Sequence, residues 1–368
     1  MQSKIFLYNP SINSSEKRNV IKCLNENWIS SKGSFIKKFE NSFKKKFNYK
    51  YATVTTNGTT ALHLALLAIN IKKNDEVIVP NLTYVAPVNS VSYVSAKPIL
   101  VDVDSETWLM NYKTIIKNIT KKTKAIILVH LYGLPYDYKM INRLKYRYKI
   151  KIIEDCAEAI GSKSRGRYVG NTGDISTFSF YGNKTITTGE GGMVVTNKKK
   201  FLDKIIKLKS QGLNINKKNN YYNHELVGYN YRMTNICASL GLAQLEKVDF
   251  FIERKKRINT IYRKILSKSP VEFQKSDNLS TSTYWLVNIK LRSKKLKLML
   301  EKHLRKKNIE TRPVFKPMNK LKMYKKADKF FLNSIDISNG GISLPSYPAI
   351  RNEQVTYIAN IIKKFLEK

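Results

Sequence analysis

One lysine stands apart by its setting. Lys184 lies in the stretch FSFYGNKTITTGEGG (178–192), between an apolar run and a turn rich in Thr and Gly. With 67 Lys and Arg residues in the chain, a single lysine is ordinarily a solvated surface group. In a partly desolvated pocket a lysine gives up its proton more readily, and the neutral amine attacks a carbonyl carbon to form a Schiff base. Other residues could serve such a lysine. Gly58 and Thr59, in TTNGTTALHLAL, stand where a helix begins. A helix N-terminus favours an anion such as phosphate, although the same residues also make an ordinary cap. The pattern G-x-x-x-x-G-K-[ST] is not met, which excludes a nucleoside-triphosphate loop. Asp155, in KIIEDCAEAIGS, follows an apolar run. A carboxylate there holds a ring nitrogen protonated if a cofactor brings one, or else caps a helix. Glu154 faces the opposite side if the strand continues. Ser179 offers a hydroxyl to a phosphate, and TTGEGG lets backbone approach a ligand closely. A phosphate cradle, an aspartate for a pyridine nitrogen and a Schiff-base lysine are together what pyridoxal 5'-phosphate (PLP) requires.

These residues need a scaffold that brings them to one edge. From about residue 50 to 200, short apolar runs (EVIVP, KPILVDVD, KAIILVHLYG, KIIEDCA, ISTFSFYG) alternate with helical patterns such as TTALHLALLAINI. Strands apolar nearly throughout are those buried on both faces of a parallel sheet. The alternation predicts a doubly wound α/β unit, in which ligands collect at the carboxyl ends of the strands. A long helix over 250–270 leads to a second unit. There YWLVNIKL reads as a strand, and KKLKLMLEKHLRKKNI and NEQVTYIANIIKKFLEK read as helices. The expected division is a large domain over 1–250 and a small C-terminal α+β domain over 251–368.

Composition narrows the class. The 368 residues and 42% hydrophobic content suffice for a sizeable core. No apolar run is long enough to span a bilayer, and the N-terminal stretch lacks the apolar region of a signal peptide. Cys23, Cys156 and Cys237 are far apart with no CxxC, which fits a reduced cytoplasmic protein without zinc. The net charge of +40 raises nucleic acid as a partner. The basic residues crowd amphipathic stretches such as FIERKKRINTIYRKILSK, without a nucleic-acid-binding motif, so solvated faces are the preferred reading. Neither nucleic acid nor membrane is expected as a partner, and no metal is expected.

The chain resembles the DegT/DnrJ/StrS-type sugar aminotransferases, which are fold-type I PLP enzymes. The resemblance runs through WISSKGSFIKKFE, TTNGTTALHLAL, VPNLTYVAPVNSV, VHLYGLPYD, IIEDCAEAIGS, FSFYGNKTITTGEGGMV, GYNYRMTNICASLGLAQLE, ETRPVFKPM and LPSYP. It implies that Lys184 forms the Schiff base and shuttles the proton, and that Asp155 pairs with the pyridinium. Tyr84 would stack on the cofactor ring, with a core aromatic as the other reading. Gly58, Thr59 and Ser179 would hold the phosphate, and Glu158 would stand near the cofactor hydroxyl, where many relatives have Gln. Asn230 would reach the phosphate of a neighbouring subunit, which implies a homodimer with shared sites. Trp28, Arg312 and Lys316 would meet the substrate, although a solvated basic loop equally accounts for Arg312 and Lys316. The implied reaction carries nitrogen from L-glutamate to a nucleotide-linked 4-keto-6-deoxyhexose, with pyridoxamine phosphate (PMP) as the intermediate form. The resemblance in YGNKTITTGEGG and WISSKG implies GDP-4-keto-6-deoxymannose over UDP- or dTDP-4-keto-6-deoxyglucose. Relatives that act as sugar dehydratases have His where this chain has Lys184.

Overall fold

The computed structural model describes residues 4–214 and 222–367. The apolar runs form strands in chain order: β1 (Tyr51–Thr55), β2 (Glu76–Pro80), β3 (Lys97–Val101), β4 (Thr123–Val129) and β5 (Lys151–Asp155), then two-residue strands β6 (Lys163–Ser164) and β7 (Arg167–Tyr168), then β8 (Ile175–Ser179) and β9 (Gly192–Thr196). Seven of them make one sheet in the order β1-β9-β8-β5-β4-β2-β3. Its strands β3, β2, β4, β5 and β8 pair in parallel, and β9 runs antiparallel between β8 and β1. The mostly parallel α/β sheet expected from the sequence is therefore present. β2, β8 and β9 are buried throughout, as layers on both faces require.

The sheet order puts Asp155 and Ser179 side by side. They end the neighbouring strands β5 and β8, which pair with Asp155 opposite Thr177. The helix Ser34–Phe47 steadies β8 from behind. It carries Phe35, Phe39, Phe43 and Phe47 at every fourth position, and all four are buried. That spacing places them on one helical face. Phe43 meets Phe178 at 5.1 Å and Phe39 meets Phe180 at 5.2 Å between ring centres. Each such burial is worth about 1.5–3 kcal/mol, so the strand that leads to Lys184 is firmly seated.

The C-terminal part holds β10 (Val271–Phe273), β11 (Ser280–Thr281), β12 (Val287–Leu291), β13 (Arg312–Pro313) and β14 (Gly341–Leu344). Four form an antiparallel sheet, β10-β12-β14-β13, while β11 pairs with β6 of the first part. The predicted helices are present as Lys294–Lys306 and Asn352–Leu366. The long helix expected near 250–270 spans Val248–Ile265 and links two cores. Its start packs with the phenylalanine cluster through Phe251 and Ile252, and its end packs on the small sheet through Ile258 and Tyr262. The expected boundary after residue 250 falls inside this helix. Ile5 also joins the small sheet's core and bridges to Ile309. Among the described residues, no helix is long and apolar enough to cross a membrane.

Candidate active site

A cavity of about 540 Å³ opens at the carboxyl ends of β4, β5 and β8, with β13 and the segment after it forming part of its wall. Its floor is built by the turn after β8. The Lys184 amide donates to the Tyr181 carbonyl at 2.9 Å, and the Thr188 amide closes the turn on the Phe180 carbonyl at 2.9 Å. This turn leaves the Lys184 side chain only 12% exposed, with Nζ 3.8 Å from Glu158 Oε1. Nζ also lies 3.9 Å from the centre of the Trp285 ring. Burial pushes the Lys184 pKa below that of an ordinary lysine, and the Glu158 and Asp155 carboxylates partly oppose this. A lysine so placed gives up its proton more readily than one in water.

Three carboxylates within five residues meet three environments. Asp155 is buried, and Oδ1 accepts from the Ala157 amide at 3.0 Å. Burial raises its pKa, against the Ala157 amide, Lys184 and His130. Glu158 Oε2 accepts from the Tyr132 amide at 2.7 Å. Burial raises the Glu158 pKa to about 7, with Lys184 and the Tyr132 amide opposing. Glu154 turns to the far side of β5, as strand alternation requires. Its oxygens accept from the amides of Gly170 and Thr172, each at 3.0 Å, and from that of Gly173. The Tyr136 amide donates to His130 Nδ1 at 3.1 Å, so the ring proton sits on Nε2, 3.0 Å from Glu154 Oε2. Burial pushes the Glu154 pKa up, but His130 and the Gly173 and Gly170 amides overcome it, and the carboxylate stays ionised. His130, Glu154 and Cys156 lie close enough to share an ion. The protein's own donors already occupy the His130 and Glu154 atoms, so this cluster braces the strand end that carries Asp155.

The opposite end of the cavity suits a phosphate. The helix Gly58–Ala68 points its N-terminus there, and the Asn57 side chain accepts from the Thr60 amide at 2.9 Å. The amides of Gly58 and Thr59 lie ahead of this cap, at the positive end of the dipole. A Cβ on Gly58 would stand 2.9 Å from Ser179 Cβ, so only glycine lets the helix start pack against that serine. Thr83 Oγ1 and Asn183 Oδ1 are buried without a protein partner, and both residues line the cavity. Orphaned polar atoms beside a helix N-terminus, a carboxylate at a strand end and a desolvated lysine fit a phosphorylated pyridine aldehyde.

Aromatic rings form the remaining wall. Tyr132 stacks on Phe315 at 5.4 Å and 9° and on Trp285 at 6.0 Å and 11°. Tyr84 leans on Phe315 at 5.8 Å and is 58% exposed, which makes it a wall residue rather than a core aromatic.

The cavity thus collects Gly58, Thr59, Tyr84, Asp155, Glu158, Ser179, Lys184 and Arg312 of the residues expected from the sequence. Asn230, Trp28 and Lys316 do not line it. Asn230 is exposed on the segment that bridges to Ser210, Trp28 edges a separate hollow with Lys32 and Lys37, and Lys316 is exposed next to Phe315. Sequence reasoning missed Thr83, Tyr132, Asn183, Trp285 and Phe315. Thr83, Tyr132, Asn183 and Phe315 stood within resembling segments and so could have been found. Trp285 carried no such signal, being read only as part of a strand.

Comparison with known proteins gives the family and the fold. The profile of the DegT/DnrJ/EryC1/StrS aminotransferase family matches residues 10–363. GDP-perosamine synthase of Escherichia coli O157:H7 is 52% identical over 361 residues, covering 98% of each chain. GDP-perosamine synthase of Vibrio cholerae is 43% identical, again covering 98% of each. Among solved structures, the Streptococcus pneumoniae protein Spr1654, described as a sugar aminotransferase and solved in its PMP form, superposes with a TM-score of 0.95 at 26% identity, covering 99% of this chain and 98% of that one. The chain belongs to the DegT/DnrJ/EryC1/StrS aminotransferase family.

Proposed function

We propose that this PLP-dependent aminotransferase moves the amino group of L-glutamate to C4 of GDP-4-keto-6-deoxymannose and so makes GDP-perosamine. The observation that carries this reading is the 52% identity to a GDP-perosamine synthase over 98% of both chains. The cavity supplies side chains suited to the chemistry. Bound PLP provides a carbonyl that takes up nitrogen and a ring that stores electrons. The Gly58 and Thr59 amides and the Ser179 hydroxyl hold its phosphate. Asp155 keeps the ring nitrogen protonated, because an anion beside it stabilises the charged ring. Lys184 Nζ, inclined by burial to give up its proton, withdraws a proton from the glutamate carbon and returns one to the sugar carbon. Glu158, whose pKa burial raises to about 7, would stand near the ring hydroxyl. The aromatic wall keeps water from the reacting atoms, and Arg312 at the rim meets the anionic diphosphate.

The working unit of this reading is a homodimer. Asn230 lies outside its own chain's cavity and is exposed, a placement suited to completing the phosphate site of a second copy. Specificity is tested with purified nucleotide ketosugars and glutamate, read as kcat/KM. A guanine-reading site that leaves a polar group unpaired with uracil or thymine favours the GDP sugar by roughly 5- to 150-fold, or ~1–3 kcal/mol. Equal or faster turnover of UDP- or dTDP-4-keto-6-deoxyglucose would overturn the GDP-mannose reading and leave the aminotransferase assignment standing.

A further inference from the structure

A second buried lysine organises the segment that carries the first. Lys255, on the helix Val248–Ile265, is fully buried. Its Nζ donates to the Trp285 carbonyl at 2.9 Å and to the Ser346 carbonyl at 3.0 Å. The same nitrogen sits 5.0 Å above the centre of the Tyr8 ring. Burial alone pushes its pKa down to about 7. A long cationic side chain is rarely buried on two carbonyls and a ring face, because desolvating it is costly.

Tyr8, whose ring it faces, and Trp285, whose carbonyl it holds, both reach the catalytic turn. The Tyr8 hydroxyl donates to the carbonyl of Lys184. Trp285 Nε1 donates to the carbonyl of Asn183 at 2.7 Å. The Trp285 ring also stands against Lys184 Nζ. Consecutive backbone carbonyls are thus held by two side chains from distant parts of the chain, and Lys255 contacts both residues that supply them. Its N–H groups suit this arrangement: two meet carbonyls, and the nitrogen lies over the electron-rich face of Tyr8.

We propose that Lys255 is a positioning residue for the transamination: through Trp285 and Tyr8 it fixes the Asn183–Lys184 backbone and thereby the location of Lys184 Nζ. The inference rests on the role given to Lys184 above. The clamp has a cause in the reaction. Lys184 must reach the substrate carbon at the angle for proton transfer in both half-reactions, the glutamate carbon in one and the sugar carbon in the other, and small misplacements of a reacting group cost large factors in rate.

The test compares wild type with Lys255→Met, Lys255→Arg and Tyr8→Phe. It measures kcat, KM for the ketosugar, melting temperature, and the rate at which apoenzyme captures PLP, followed by tryptophan fluorescence. Lys255→Met is expected to lower kcat about 10- to 100-fold and to slow PLP capture about tenfold, with KM changed less than about twofold. Lys255→Arg, which keeps N–H donors at this position, should recover most of both rates. Lys255→Met should cost less in a Tyr8→Phe background than in wild type, because the two residues act on one turn. Wild-type kcat and PLP capture in Lys255→Met, even with a lowered melting temperature, would overturn the proposal. Should Lys255→Met not fold, Tyr8→Phe and Trp285→Phe each remove one hydrogen bond from the turn, and unchanged kcat and capture rate in both would overturn it equally. Lys184→Ala serves as the separate control: turnover retained there would remove the role of Lys184 itself, whatever Lys255 does.

Discussion

Burial acts on the proposed catalytic groups in opposite senses, because it disfavours whichever form is charged. It eases the proton off Lys184 and keeps one on Glu158. Lys184→Ala should therefore abolish the visible absorption of the bound cofactor and cut glutamate-dependent turnover by at least ~10²–10⁴, the range a positioned proton carrier supplies. Turnover within tenfold of wild type would defeat the assignment. Glu158 makes a prediction in pH. Its folded pKa of about 7 lies above the ordinary 4.5, so the folded protein binds more protons than the unfolded chain between those values. The stability it contributes is fully present below about pH 4.5 and is lost as pH rises through about pH 7. Glu158→Gln keeps an acceptor for the Tyr132 amide and removes the titration. Apoenzyme melting temperatures of the wild type should fall relative to the variant across that window, and parallel profiles would refute the shift.

At the level of elements, the site depends on how closely one helix start meets one strand end. The helix Gly58–Ala68 can lie on β8 only because position 58 has no side chain. Gly58→Ala forces the helix start and Ser179 apart, an overpacking that costs about 1–3 kcal/mol. PLP affinity should drop more than tenfold, since the amides of Gly58 and Thr59 shift as a unit, and equilibrium binding to apoenzyme measures it. Adding Ser179→Gly to Gly58→Ala removes the atom that is struck. The double variant should regain melting temperature but not PLP affinity, because the serine hydroxyl has gone as well. Recovery of full affinity would show that Ser179 does not hold the phosphate.

Across the whole molecule, the cavity is made by parts far apart in the chain. Asp155, Ser179 and Lys184 come from the large sheet, while Trp285, Arg312 and Phe315 come from the C-terminal part. Asn81 and Asn319 tie the two, since the Asn319 backbone N–H donates to Asn81 Oδ1 at 2.9 Å and Asn81 Nδ2 donates to Asn319 Oδ1 at 3.0 Å. The proposed homodimer extends this construction to a second copy. Refolding equal amounts of Lys184→Ala and Asn230→Ala chains together should restore roughly a quarter of wild-type activity, because random pairing makes half the dimers mixed and each mixed dimer has one intact site. No recovery in verified mixed dimers, or full activity in a dilute monomer, would reject shared sites.

Local patterns determined much of this protein. Apolar runs bounded by turn residues marked β2, β4, β5 and β8, because strands buried on both faces have few alternatives to aliphatic side chains. The placement of Asp155 after an apolar run, of Lys184 between an apolar run and a turn rich in Thr and Gly, and of Gly58 at a helix start was also legible. Tertiary structure decided the rest. It put Glu158 beside Lys184, whereas strand alternation alone had already turned Glu154 to the far side. It brought Trp285 against Lys184 from 101 residues away and enclosed Lys255 beneath it. These contacts follow from sheet order and from the helix that joins the two cores. A residue's neighbours along the chain report its local conformation, but the dielectric around a charge is set by whatever the fold packs against it.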